Sequence, residues 1–85
     1  MRKYVYSPES NILARRLAEM RTSVGVHQKD LATRLGLDQS VISNIERGQR
    51  RVDIVEFYRM ARALDLDPVE AFKSIAREWD AIGVP

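Results

Sequence analysis

Residues 28–47 read QKDLATRLGLDQSVISNIER, and the spacing of small and apolar residues within this stretch decides the fold. Leu31, Ala32 and Leu35 fall at i, i+1 and i+4 and give a short helix over Gln28 to Leu35 one apolar face. Ala32 stands where a second helix must cross closely, and Gly36 where the chain leaves the first helix in a tight turn. Asp38 is suited to cap the next helix by accepting N–H groups near Ser40 and Val41. That helix spans Gln39 to Arg47, turns Ile42 and Ile45 inward, and ends at Gly48 in a left-handed conformation. Leu37, just ahead of the cap, is expected on the same core.

The opposite face of the second helix carries Gln39, Ser40, Ser43 and Asn44, all polar and uncharged. In an isolated helix such a face is ordinary solvated surface. Here it follows a close-packed helix pair and precedes a basic loop, Arg47, Gly48, Gln49, Arg50 and Arg51. Gln and Asn bond a base edge through donor and acceptor together, most often adenine in the major groove. The combination therefore marks Gln39, Ser40, Ser43 and Asn44 as base-reading residues and double-stranded DNA as the partner.

From about Leu13 to Phe72, some 60 of the 85 residues, the chain resembles the Cro/cI-type (XRE-like) helix-turn-helix regulators. The pattern Gln28, Leu31-Ala32, Leu35-Gly36-Leu37, Gln39-Ser40, Ile42-Ser43-Asn44-Ile45-Glu46-Arg47-Gly48 carries the resemblance as a set. It implies an all-α, compact five-helix lambda-repressor-like DNA-binding domain with the helix-turn-helix formed by helices 2 and 3. It implies that Gln28, at the positive end of the helix 2 dipole, grips a phosphate. It further implies that Arg21 and Glu46 form a structural ion pair across the core, orienting helix 3 through an Arg-carboxylate fork. Lys29, Arg47, Arg50 and Arg51 add charge for phosphate binding. His27 departs from the pattern, because Ser or Thr commonly caps helix 2 there and imidazole is a poorer cap. The plainer reading of His27 is an exposed residue with no special role.

Composition narrows the function classes. The 85 residues amount to one domain able to bury about 60 to 65 per cent of its unfolded surface. No cysteine is present, which excludes disulfides and thiolate metal ligands and fits a cytoplasmic protein. No stretch approaches membrane-spanning length, so no membrane contact is expected. The formal charge of +2 divides unevenly. Residues 1–51 hold ten Lys and Arg against five Asp and Glu, whereas residues 52–85 hold four against seven. A basic half facing phosphates and an acidic half turned away accounts for that polarity. One His and no Cys leave no metal set, the four glycines match no phosphate loop, and a small helical core leaves no pocket for a Ser-His-Asp site. Neither catalysis nor a cofactor is expected.

The remaining helices follow from caps and stripes. Residues 1–7 form an N-terminal extension, residues 8–82 the DNA-binding domain and residues 83–85 a tail. Tyr4 to Tyr6 favour a short extended segment. Helix 1 opens with Ser7 as cap and Pro8 at the first position, runs to about Thr22, and turns Leu13, Leu17 and Met20 inward. Val26 is expected to be buried in the turn that follows. Helix 4 carries a capping box, Asp53 with Glu56, and helix 5 is expected to repeat it with Asp67 and Glu70.

Helix 5 bears Val69, Phe72, Ile75, Ala76, Trp79 and Ile82, a stripe longer than one small core requires. Val69 and Phe72 are expected to close the domain. Residues 65–82, through Phe72, Ile75, Ala76, Trp79 and Ile82, are then expected to form a homodimer interface. The alternative is Trp79 folding back on Tyr4 or Tyr6. In a dimer two reading helices meet successive major grooves about 34 Å apart on a palindromic operator with half-sites near 10 base pairs apart. The expected function is a sequence-specific repressor. An antitoxin that also binds a toxin protein, or a controller protein of a restriction-modification system, are the alternatives.

Overall fold

A computed structural model describes residues 7–83, and within them five helices follow one another with no strand. They are α1 (Pro8–Ser23), α2 (Gln28–Leu35), α3 (Gln39–Glu46), α4 (Ile54–Ala63) and α5 (Pro68–Ile82). Met1 to Tyr6, including the expected extended segment, and the last two tail residues lie outside the described range.

Each helix starts where its sequence provides an acceptor, with one exception. The Ser7 hydroxyl accepts the Ser10 N–H at 3.2 Å, and Pro8 opens α1 at a position where its missing N–H costs nothing. Asp53 and Glu56 form the expected capping box on α4, with reciprocal bonds of 2.8 and 3.1 Å. On α5 the box is half made. Asp67 accepts the Val69 N–H at 2.9 Å, but Glu70 turns away to the Lys73 ammonium at 3.3 Å. The exception is α2, where His27 makes no side-chain cap bond.

The ends are equally local. At Gly36 (φ 68°) and Gly48 (φ 74°) the chain turns left-handed, as read from the sequence. The Leu37 N–H reaches the Ala32 carbonyl and the Gln49 N–H the Asn44 carbonyl, each at 2.9 Å. These six-to-one bonds close α2 and α3 in Schellman turns, and glycine adopts the required conformation without a Cβ penalty. Asp65 (φ 59°) makes the same turn after α4 without being glycine.

Packing unites the helices through one residue from each. Leu17, Leu31, Ile42, Met60 and Ile75 are the largest fully buried side chains, contributed in order by α1 to α5. Burying each is worth about 1.5 to 3 kcal/mol. Ala32 (2% exposed) lies in the same cluster and lets α2 and α3 cross closely. Leu13 and Val26 are only half-buried and pack on the margin of the core, while Ala14 joins the buried face of α1. Leu37, expected inside, is 41% exposed because the turn carries it to the rim of a shallow cleft.

Helix α5 departs most from expectation. Ile75 was assigned to a dimer interface, yet it has no exposed surface and closes the core of a single chain. Trp79 is half-buried and bound within the chain, its indole N–H donating to the Glu9 carbonyl at 3.0 Å. The indole thus anchors on the first turn of α1, and the expected contact with Tyr4 or Tyr6 falls outside the described residues. Arg15 reaches Glu78 and Arg16 reaches Ser74 beside it, fastening α5 to α1. Val69 does not close the domain, and Phe72 does so only in part, its ring meeting those of Phe57 and Trp79 edge-to-face with centroids 6.2 and 5.9 Å away. Val69 and Phe72 are 62% and 43% exposed and share an open groove with Ile54 and Tyr58 of α4. Helical periodicity places Val69 and Phe72 on one stripe with Ile75, but α4 reaches only part of it.

Because Ile75 seals the core from within, Ile75→Ala is expected to destabilise the folded chain by about 2 to 5 kcal/mol in chemical denaturation. An interface role would instead leave the chain's own stability intact and change only its association.

Candidate nucleic-acid interface

The surface of interest is built outward from one ion pair. Arg21, at the end of α1, donates from Nε to Glu46 Oε2 at 2.7 Å and from Nη2 to Oε1 at 2.9 Å. The two side chains are 12% and 6% exposed, and Arg21 Nη1 also donates to the Val26 carbonyl at 2.9 Å. The bond to Glu46 raises the Arg21 pKa despite its burial. The pair therefore ties α1, the α1–α2 turn and the last turn of α3 together, as the resemblance implied. A fork with two parallel bonds fixes orientation as well as distance.

Glu46 passes that order on to α2. Its Oε1 also accepts the Gln28 amide at 2.9 Å, leaving the Gln28 carbonyl oxygen directed toward Gln39 Nε2, at the 3.5 Å limit of a hydrogen bond. Gln28 thus stands at the uncapped start of α2, next to the first residue of α3. The amides of that first α2 turn receive no side-chain cap, so they remain available to an anionic oxygen.

Along α3 the four candidate reading residues occupy different surroundings. Gln39 is exposed. The Ser40 hydroxyl and N–H both donate to the Asp38 carboxylate, at 2.5 and 3.1 Å, and hold its pKa below the usual carboxylate range. Ser43 and Asn44 are half-buried. Asn44 Oδ1 accepts Arg47 Nη2 at 2.6 Å, which uses one of the two lone pairs of that acceptor. Of the two amides, Gln39 is the more accessible.

The basic candidates also separate. Lys29 is exposed on the first turn of α2, and Arg47 is the C-cap residue of α3, tied to Asn44. Arg50 and Arg51 lie on the loop into α4, and Arg50 is forked onto Glu56 with its shortest bond at 2.7 Å. The sequence did not reveal that pairing, because the capping box already accounted for Glu56. The six-residue separation across a loop was its only signal. Among the described residues no cluster of His, Cys, Asp or Glu is able to hold a metal ion, and no helix is long and apolar enough to cross a membrane.

Glu46→Ala strips the partner from a largely buried guanidinium and releases Gln28. The expected loss is roughly 3 kcal/mol of stability in urea denaturation, the scale for breaking one side of a buried pair. A loss below about 0.5 kcal/mol would place the pair with ordinary surface ion pairs.

Comparison with known proteins agrees with this geometry. The family model described as helix-turn-helix matches residues 17–70. An uncharacterised HTH-type transcriptional regulator of Sinorhizobium fredii, y4dJ, is 34% identical over 53 residues, covering 62% of this chain and 69% of that protein. Among solved structures, the restriction-modification controller protein C.AhdI from Aeromonas hydrophila is 42% identical with a TM-score of 0.68, covering 79% of this chain and all of that one. An XRE-family like protein from Pseudomonas syringae pv. tomato is 32% identical with a TM-score of 0.79, covering 91% and 94%. The controller protein C.Esp1396I, solved as a tetramer with its natural 35 base-pair operator, is 28% identical with a TM-score of 0.76, covering 85% and 95%. The fold, the Arg21–Glu46 fork and the family match lead to one assignment: the chain belongs to the XRE-like, Cro/cI-type helix-turn-helix family of transcriptional regulators.

Proposed function

We propose that this chain is a homodimeric regulator that binds a palindromic operator and acts by binding DNA rather than by catalysis. The observation that carries the reading is the α2–α3 corner, where Glu46 holds the Gln28 amide and the Gln28 carbonyl oxygen faces the exposed Gln39 at 3.5 Å. Helix α3 enters the major groove, with Gln39 the principal reader and Ser40, Ser43 and Asn44 flanking it. Gln28, Lys29, Arg47, Arg50 and Arg51 contact the backbone and set the register.

The second copy docks on the groove between α4 and α5. Ile54, Tyr58, Val69 and Phe72 are 69%, 50%, 62% and 43% exposed and form a continuous apolar patch. This moves the interface expected on α5 toward its N-terminal half: Phe72 stays, Ala76 and Ile82 are not among the residues that line the groove, and Ile75 and Trp79 serve the monomer. Patches of this kind on small domains mark interfaces, and a twofold contact makes the same patch serve both copies. That C.Esp1396I assembles as a tetramer on operator DNA supports a multimeric reading.

A controller role in a restriction-modification system is the specific form favoured over general repression, on the 42% identity with C.AhdI across that protein's full length. The antitoxin alternative differs in partner, since it requires a stoichiometric complex with a toxin on purification from the native cell.

Selection from a random duplex pool with wild-type protein, repeated with Gln39→Ala and Asn44→Ala, tests the reading helix. Each substitution is expected to relax the preference at one base position by about 1 to 3 kcal/mol. Retention of the wild-type preference by both would remove α3 from the major groove. Val69→Lys, at an already exposed position, is expected to yield a folded monomer in sedimentation and to weaken operator binding by roughly tenfold or more. A dimer that survives this change lies elsewhere.

A further inference from the structure

The loop between α3 and α4 holds an arginine half-covered by a carboxylate. Arg50 donates from Nη1 to Glu56 Oε1 at 3.2 Å and from Nη2 to Oε2 at 2.7 Å, and Nη1 also meets the Arg51 carbonyl at 3.1 Å. These bonds occupy the end edge of the guanidinium. A guanidinium carries five N–H donors in a fixed plane. Its side edge, formed by Nε–H and the second N–H of Nη2, is therefore left without a partner among the described residues. The pair is open to solvent, with side chains 39% and 29% exposed.

Glu56 is itself fixed. Its Oε1 accepts the Asp53 N–H at 3.1 Å as half of the α4 capping box. Arg50 holds its carboxyl below the usual range, against the opposing effect of partial burial. An arginine anchored at one edge to a helix cap presents its other edge in a set direction, which lowers the entropy lost on contact with a planar pair of oxygens. The carboxylate also cancels most of the arginine's charge at a distance. Attraction to DNA in general then falls, while a close two-bond contact is retained.

We propose that Glu56 is a positioning residue for DNA binding: it holds Arg50 so that the open Nε and Nη2 edge meets one backbone phosphate, and it weakens Arg50's attraction to DNA that does not bring a phosphate to that edge. This rests on the operator-binding reading above. Arg50 makes the contact, and Glu56 converts a nonspecific cation into one that rewards correct register.

The test compares wild type, Glu56→Gln, Arg50→Ala and the double variant on two duplexes across a salt series. One duplex is recovered by wild-type selection from a random pool, and the other is a mixed sequence of equal length lacking that site. Gln at 56 keeps the oxygen that accepts the Asp53 N–H, and thermal melting verifies that the cap survives. Glu56→Gln is expected to bind the mixed duplex several-fold tighter, with a salt slope steeper by about one ion. The ratio of selected to mixed affinity is expected to fall. In the Arg50→Ala background the same change should have no effect. An equal increment with and without Arg50 would make Glu56 a general negative charge and overturn the proposal, as would an unchanged slope and ratio. Arg50→Ala matching wild type on both duplexes would overturn the Arg50 contact and the proposal with it, leaving the operator-binding reading intact. Failure of wild type to select any duplex would overturn the DNA reading beneath it.

Discussion

Removing Arg21 from solvent is costly unless a carboxylate meets it in good geometry, and Glu46 meets that condition from the far end of another helix. The consequences spread in both directions. Inward, the fork joins the end of α1 to the end of α3 and brings the Val26 carbonyl into the same network, closing the α1–α2 turn. Outward, the second lone pair of Glu46 Oε1 holds the Gln28 amide, which sets the face that α2 shows beside Gln39. An apolar pair at these positions would keep the helices together as well or better, but it would leave Gln28 free to rotate. The ion pair therefore serves orientation more than stability.

Around this constraint the molecule separates into two surfaces. One is polar and hydrogen-bonded to itself: Gln28 to Glu46, Ser40 to Asp38, Asn44 to Arg47, Arg50 to Glu56. Each of these side chains is held by a neighbour within the chain, so in the proposed role a contact with DNA exchanges internal bonds for new ones instead of ordering loose side chains. The other surface is apolar and open, where Ile54, Tyr58, Val69 and Phe72 line a groove between α4 and α5. The second half of the chain carries this groove, with Arg62 and Lys73 among its lining residues.

The helix boundaries and the recognition corner were legible because their causes are local. Ser7 with Pro8, Asp38, and the Asp53–Glu56 box act within one turn of the residues they cap, and Gly36 and Gly48 satisfy a backbone requirement that few other residues meet. Asp65 took the same left-handed turn without the glycine signal, so only the backbone shows it. The Arg21–Glu46 pair was reached through family resemblance, because a 25-residue separation carries no local signature.

What the sequence determined by itself is the all-helical order, the cap acceptors Ser7, Asp38, Asp53 and Asp67, the buried residues Leu17, Leu31 and Ile42, and the polar face of α3. Those depend on periodicity and on side-chain-to-backbone bonds a few residues long. The tertiary structure alone decided how the stripe on α5 is divided. Ile75 and Trp79 turn into the chain while Val69 and part of Phe72 stay exposed, because where α4 and α1 lie against that stripe determines which of its residues are covered. It also decided that Arg50 arrives already bonded to Glu56, since the path of a loop, and not its composition, brings those two charges together.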